Sequence, residues 1–212
     1  MGKNKLKHFN EMLSFSNVLQ FEKSRRGQWK EVFGNKHPIV LELACGKGEY
    51  TVGLAQLHHE NNYIGVDIKG ARIYTGAKQA LETGLTNVRF LRTQIDHLAE
   101  YFAPDEVNEI WITFPDPHLR ISRARQRLMS PKYIDIYRKI LKSGGVVNLK
   151  TDDDTMYGFT LDTIQEEGLQ LLDAIPDVYR EQHRDPRLDI RTYYEGMHLA
   201  RAKTIMYIRF RL

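Results

Sequence analysis

Five short apolar runs constrain the fold of this chain more than any other feature: Ile39 to Leu43, Tyr63 to Val66, Val88 to Leu91, Ile110 to Phe114 and Val146 to Leu149. Each is continuous rather than alternating, as a strand covered on both faces demands. Helical periodicity fills most of the intervals, over Thr51 to His58, Ala71 to Thr83 and Tyr133 to Leu141, the last stopped by Gly144 and Gly145. Strands alternating with helices predict an α/β fold with a doubly wound, mostly parallel sheet. After Thr151 the pattern changes to a helix near Thr155 to Glu166, an irregular polar stretch from Asp177 to Glu195 and a final strand near Thr204 to Phe210.

A chain of 212 residues with 42% hydrophobic content can bury one core, so residues 31–212 are expected to form a single domain. Residues 1–30 form a basic N-terminal arm with seven Lys and Arg against two acids, which leaves the rest of the chain near neutral at a net charge of +4. Phe9, Met12 and Leu13 either dock that arm as a helical stripe or leave it flexible. No apolar run approaches the roughly 20 residues needed to span a bilayer, and no secretory leader is evident, so a cytoplasmic protein is expected. Cys45 is the single cysteine and the eight histidines lack ligand spacing, so no metal is expected. The expected assembly is a monomer or weak homodimer.

The first strand runs into Glu42-Leu43-Ala44-Cys45-Gly46-Lys47-Gly48, and a helix follows at once. In a parallel sheet, ligands bind at the carboxyl ends of strands beside the switch point, and Gly46 and Gly48 allow close approach there. Asp67 closes the second strand, where an acid can accept from both ribose hydroxyls. A nucleoside site follows. Thr51 stands where a dinucleotide fingerprint would have its third glycine, and the Glu42 carboxylate would repel a pyrophosphate. The same carboxylate suits the ammonium and sulfonium of S-adenosylmethionine, the expected cofactor.

The fourth strand ends in Thr113-Phe114-Pro115-Asp116-Pro117. Two prolines around an acid lock an extended turn that holds Asp116 over the pocket. Arg120, Arg123, Arg125 and Arg127 follow with no acid among them and read as phosphate contacts. The turn would then lie between the methyl donor and a polyanion, the order that transfer to RNA requires.

Four motifs in this order resemble the bacterial tRNA (guanine-N7-)-methyltransferase family: Leu41-Glu42 with Gly46-Lys47-Gly48, Phe114-Pro115-Asp116-Pro117, Lys150-Thr151-Asp152, and Thr192-Tyr193-Tyr194-Glu195. The resemblance runs from about Val40 to Phe210. It implies a seven-stranded methyltransferase sheet with an antiparallel last strand, and methylation of N7 of a guanine in the tRNA variable loop. It also implies that Glu42, Asp67, Gln94 and Asp116 contact S-adenosylmethionine, and that Arg120, Asp152 and residues 192–195 contact the guanine nucleotide. The family's Asp-Pro-Trp-Pro-Lys reads Asp116-Pro117-His118-Leu119-Arg120 here, so the aromatic is lost and lysine becomes arginine. Gln94 replaces a common acid, with Asp96 two residues on as a substitute, and Ala44 stands where relatives often have glycine.

The chemistry follows from the acceptor. Guanine N7 carries a free lone pair at neutral pH and needs no general base, so catalysis reduces to positioning and charge stabilisation. Methylation leaves a positive charge on the base, which Asp116 as the catalytic residue, and Glu195, would stabilise. Asp152 and Glu195 could accept from guanine N1 and N2, and Tyr193 and Tyr194 could stack on the base. Asp152 could equally cap the following helix, with a neighbouring acid taking the other role. The competing readings are methylation of another nucleic-acid atom, a non-catalytic RNA-binding module with a vestigial nucleoside pocket, and a nicotinamide-dependent reductase.

Overall fold

The computed structural model describes residues 2–181 and 185–212. His183, counted among the histidines above, lies outside the described residues. Eight strands form one sheet: β1 (Val18–Gln20), β2 (Ile39–Leu43), β3 (Asn62–Asp67), β4 (Val88–Arg92), β5 (Val107–Thr113), β6 (Leu141–Thr151), β7 (Gln170–Ile175) and β8 (Met206–Arg211). Across the sheet they run β1-β4-β3-β2-β5-β6-β8-β7. All pairs are parallel except those of β8, which is antiparallel to both neighbours. The strand order reverses between β2 and β5, so the carboxyl ends of β3, β2 and β5 open side by side where a ligand is expected.

The helices are α1 (Gly2–Met12), α2 (Trp29–Phe33), α3 (Glu49–Leu57), α4 (Gly70–Glu82), α5 (Pro131–Arg138), α6 (Asp154–Glu166) and α7 (Tyr193–Leu199). They bury both faces of the sheet, which is why the central strands are apolar without interruption. On one face Ile39, Leu41 and Leu43 pack with Trp29, Phe102, Ile112 and Tyr137. On the other, Val40 packs with Tyr50, Ile73, Phe90 and Trp111. Alternation along β2 puts Glu42 on the same face as Val40 and opposite Trp111 of β5.

Eight strands replace the expected seven because of β1, which adds a parallel edge to β4 through Val18↔Phe90. Three residues are too few to show a period. β7 also escaped the periodicity, since its first four residues are exposed and apolar and polar types mix along it. The N-terminal segment is docked at particular residues. Met12 is buried, the His8 ring stacks on Tyr74 at 4.1 Å, and Trp29 is fully buried with its indole N–H donating to the Tyr101 carbonyl at 3.0 Å. Leu13, expected in the same stripe, is exposed. Among the described residues no helix is long and apolar enough to cross a membrane.

Candidate active site

Glu42 sits near the end of β2 with 2% of its surface exposed. Its carboxylate accepts from the Thr51 N–H at 2.8 Å, from the Thr51 hydroxyl, and from the Thr113 hydroxyl at 2.8 Å. All three donors are neutral, and no cation pairs with Glu42 among the described residues. Burial pushes its pKa up to about 7 against these hydrogen bonds. Thr51, read above only as a missing glycine, and Thr113 are therefore part of the site. Their hydroxyls hold the acid in one orientation.

The turn after β2 is strained. Ala44 has φ +57°, where glycine would be free of cost and alanine is not. The glycine-to-alanine exchange is thus not the small change it would be at negative φ. Gly46, at φ +55°, would carry a Cβ into open space, with the nearest atom 4.0 Å away, and its N–H donates to Asp67 at 3.0 Å. Asp67 also accepts from the Lys69 N–H at 2.7 Å, and both carboxylate oxygens keep lone pairs for further donors. Gly48 has another task. A Cβ there would lie 2.5 Å from the Phe90 ring and 3.4 Å from the Gly76 Cα, so its smallness lets α3 approach β4 and α4. Packing and a φ of +72° both call for glycine here.

At the end of β5, Phe114 and His118 both take positive φ, +49° and +42°, on either side of Asp116. Asp116 is exposed and accepts from the His118 N–H at 3.0 Å, so the acid closes its own turn while facing outward. The Phe114 N–H donates to the Lys150 carbonyl at 2.8 Å, and its ring stacks on His198 at 5.7 Å. A cleft of about 400 Å³ runs past Asp116, His118, Arg120 and Arg123. Arg120, Arg123 and Arg125 are exposed. Arg127 is not: it is buried, and its guanidinium donates to the Pro117 and His118 carbonyls. The expectation that it meets phosphate is therefore corrected.

The end of β6 and the start of α7 complete the arrangement. Asp153, not Asp152, caps α6 by accepting from the Met156 N–H at 2.8 Å. That leaves Asp152 beside the His198 imidazole at 3.1 Å and in contact with Lys203. Thr192 and Glu195 form a reciprocal capping box at the start of α7. Glu195 is fully buried, 2.7 Å from the Lys150 ammonium, and it accepts from the Tyr179 hydroxyl at 2.8 Å. Its carboxylate is committed inside the protein and is not presented to a base. Tyr193 and Tyr194 remain exposed in an edge-on pair, and the Lys47 ammonium sits 4.1 Å from the Tyr193 ring centroid. The Tyr193 N–H donates to Glu49 at 3.0 Å. The 192–195 segment is thereby fastened across the glycine turn and the first residue of α3.

Gln94 is exposed after β4, and Asp96 is held by Lys132 and the Tyr133 hydroxyl, which leaves Gln94 the freer of the two. The folded chain thus gathers Glu42, Gly46 and Asp67 at adjoining strand ends and joins the 192–195 segment to the same turn. Sequence reasoning missed Thr51, Thr113 and Lys150 as members. Only their neighbourhood in a motif could have pointed to them.

A reversed parallel sheet with an antiparallel β8, a glycine turn and an acid at the end of the next strand defines a Rossmann-like methyltransferase. The crystal structure of the 16S rRNA methyltransferase KamB superposes with a TM-score of 0.67 over 88% of this chain and 93% of that one; at 14% identity the likeness concerns the fold. Residues 36–205 match a family described as putative methyltransferase. The tRNA (guanine-N(7)-)-methyltransferase of Christiangramia forsetii is 46% identical over 100% of this chain and 99% of its own, and that of Bacteroides thetaiotaomicron is 45% identical over 100% and 87%. The enzyme of the same name from Lactococcus lactis is 32% identical over 80% of this chain. The chain belongs to the tRNA (guanine-N(7)-)-methyltransferase family.

Proposed function

We propose that this protein transfers the methyl group of S-adenosylmethionine to N7 of a guanine in the variable loop of tRNA. The observation that supports it most is Glu42, a buried acid at the sheet opening with only neutral donors around it. Such a group lacks a counter-charge, and a cationic amino acid with a sulfonium supplies one whereas a pyrophosphate would repel it. Gly46, open above its Cα, and Asp67, with lone pairs left for a ribose diol, suit the nucleoside half of the same molecule. When bound, that molecule supplies an electrophilic methyl group on positive sulfur.

The residues of this chain then have to bind and orient. Asp116, exposed in a turn held at both ends, faces the guanine and would stabilise the positive charge that methylation at N7 places on its imidazole ring. Asp152 accepts from guanine N1 and N2, donors that adenine lacks. Tyr193 and Tyr194 offer exposed ring faces to the base, and Glu195 supports them from below by closing the capping box. Arg120, Arg123 and Arg125 approach phosphates around the acceptor nucleotide. No general base is required.

The test is a nucleoside digest of unmodified tRNA incubated with the protein and methyl-labelled S-adenosylmethionine. Label in 7-methylguanosine, lost when the variable-loop guanine is replaced, is the expected result. Label in another nucleoside reassigns the acceptor. Affinity for tRNA without affinity for the methyl donor would make the protein a binding module instead.

A further inference from the structure

Arg127 ends a basic run yet behaves unlike its neighbours. Only 6% of it is exposed, while Arg120, Arg123 and Arg125 face solvent. Its Nε donates to the Pro117 carbonyl at 2.9 Å and its Nη2 to the His118 carbonyl at 3.3 Å. The guanidinium carbon lies 4.5 Å from the centroid of the Phe159 ring of α6. One planar cation thus grips two consecutive carbonyls and rests on an aromatic face, a combination that a lysine ammonium cannot reproduce.

The gripped segment is the one that carries Asp116. His118 donates its N–H to the Asp116 carboxylate and gives its carbonyl to Arg127, so the two contacts act on one residue in series. His118 also holds φ +42°, a conformation that a side-chain-bearing residue keeps only when its surroundings over-determine it. At the other end of the turn, Phe114, at φ +49°, is tied to β6 through the Lys150 carbonyl. Without Arg127 the first end would stay anchored, but the second would be free to relax and carry Asp116 out of place.

We infer that Arg127 is a positioning residue that clamps the Asp116 turn against α6, not a phosphate ligand. The inference rests on the reading of Asp116 given above and extends it to a residue that touches neither substrate. Small errors in the placement of a charge-stabilising group cost rate rather than affinity, so the clamp acts on kcat.

The experiment compares wild type, Arg127→Ala, Arg127→Lys and the double variant R123A/R125A. It measures kcat, KM for tRNA, the salt dependence of tRNA affinity, thermal unfolding, and hydrogen exchange at the His118 amide without substrates. Arg127→Ala is expected to lower kcat at least tenfold, leave KM and the salt slope within twofold of wild type, and speed exchange at His118. Arg127→Lys should lie between the two, and it carries the comparison where the alanine variant does not fold. R123A/R125A should weaken tRNA affinity and flatten the salt slope while leaving exchange at the His118 amide as in wild type. A lower salt slope with undiminished kcat in the Arg127 variants overturns the clamp in favour of a phosphate contact; unchanged kcat and unchanged exchange remove any role. Absence of 7-methylguanosine from the wild-type reaction defeats the functional reading separately, because the exchange of His118 still reports on the clamp.

Discussion

The Lys150 ammonium lies 2.7 Å from the Glu195 carboxylate, and neither side chain has any exposed surface. Lys150 also donates to the carbonyls of Leu188 at 2.7 Å and Ile190 at 3.1 Å, so its three protons are all used. Burial lowers its pKa and Glu195 opposes that shift. One strand-end residue thereby holds the segment that leads into Thr192, Tyr193 and Tyr194. Replacing Lys150 with Met leaves a buried carboxylate unpaired and should cost about 3 to 5 kcal/mol in urea unfolding. The double replacement K150M/E195L should recover much of that loss. A single-variant loss under about 1 kcal/mol would show that the pair is not what secures the segment.

Glu42 links stability to pH in a predictable sense. Its folded-state pKa of about 7 lies above its ordinary value of 4.5, so between those values the folded protein holds more protons than the unfolded chain. Its contribution is full below pH 4.5 and is lost as pH rises to about 7, a fall of roughly 3 kcal/mol attributable to this group. Glu42→Gln should remove that portion of the slope and be more stable than wild type at pH 8, yet fail to bind S-adenosylmethionine. Cofactor affinity of the wild type should rise with pH through the same range, as the acid ionises. Calorimetry at pH 6 and pH 8 checks it, and equal affinity at both would separate Glu42 from recognition of the cation.

The two turn glycines should respond differently to alanine. Gly48→Ala forces a Cβ to 2.5 Å from Phe90 at φ +72°, and a loss of about 2 to 4 kcal/mol is expected. Gly46→Ala meets open space and carries backbone strain of only about 1 to 2 kcal/mol, so the protein should fold and show its defect in cofactor affinity. Denaturation and calorimetry on both variants decide the matter. A Gly46→Ala protein that binds the cofactor normally would place the ligand elsewhere.

Asp116 admits a test that separates charge from turn geometry. Asn can still accept from the His118 N–H, so Asp116→Asn keeps the turn but removes the negative charge. If charge stabilisation is the role, Asp116→Asn and Asp116→Ala should both lose on the order of 100-fold in kcat with tRNA affinity kept. Near-normal turnover in the Asn variant would restrict Asp116 to shaping the loop.

Much of the architecture is legible in the sequence. Continuous apolar runs reported the doubly covered strands β2 to β6, because burial on both faces removes the polar alternation of a half-exposed strand. Strand β1 was not legible, since Val18, Leu19 and Gln20 acquire their strand character from pairing with β4. The candidate site is legible where its chemistry is local. Glu42 with the glycine turn, Asp67 at a strand end and Asp116 between prolines are written in short stretches whose geometry depends on neighbours in the chain.

Roles that depend on distant partners were decided only by the tertiary structure. Arg127 reads like the arginines before it until Phe159 and the Pro117 and His118 carbonyls surround it. Glu195 reads as a free carboxylate until Lys150 meets it in the interior, and the packing demand on Gly48 shows only once the Phe90 ring lies against it. Sequence determines which backbone conformations and charges are available, through turn chemistry and periodicity. Desolvation and contact decide how each charge is spent, and both arise only once remote segments exclude water from one another.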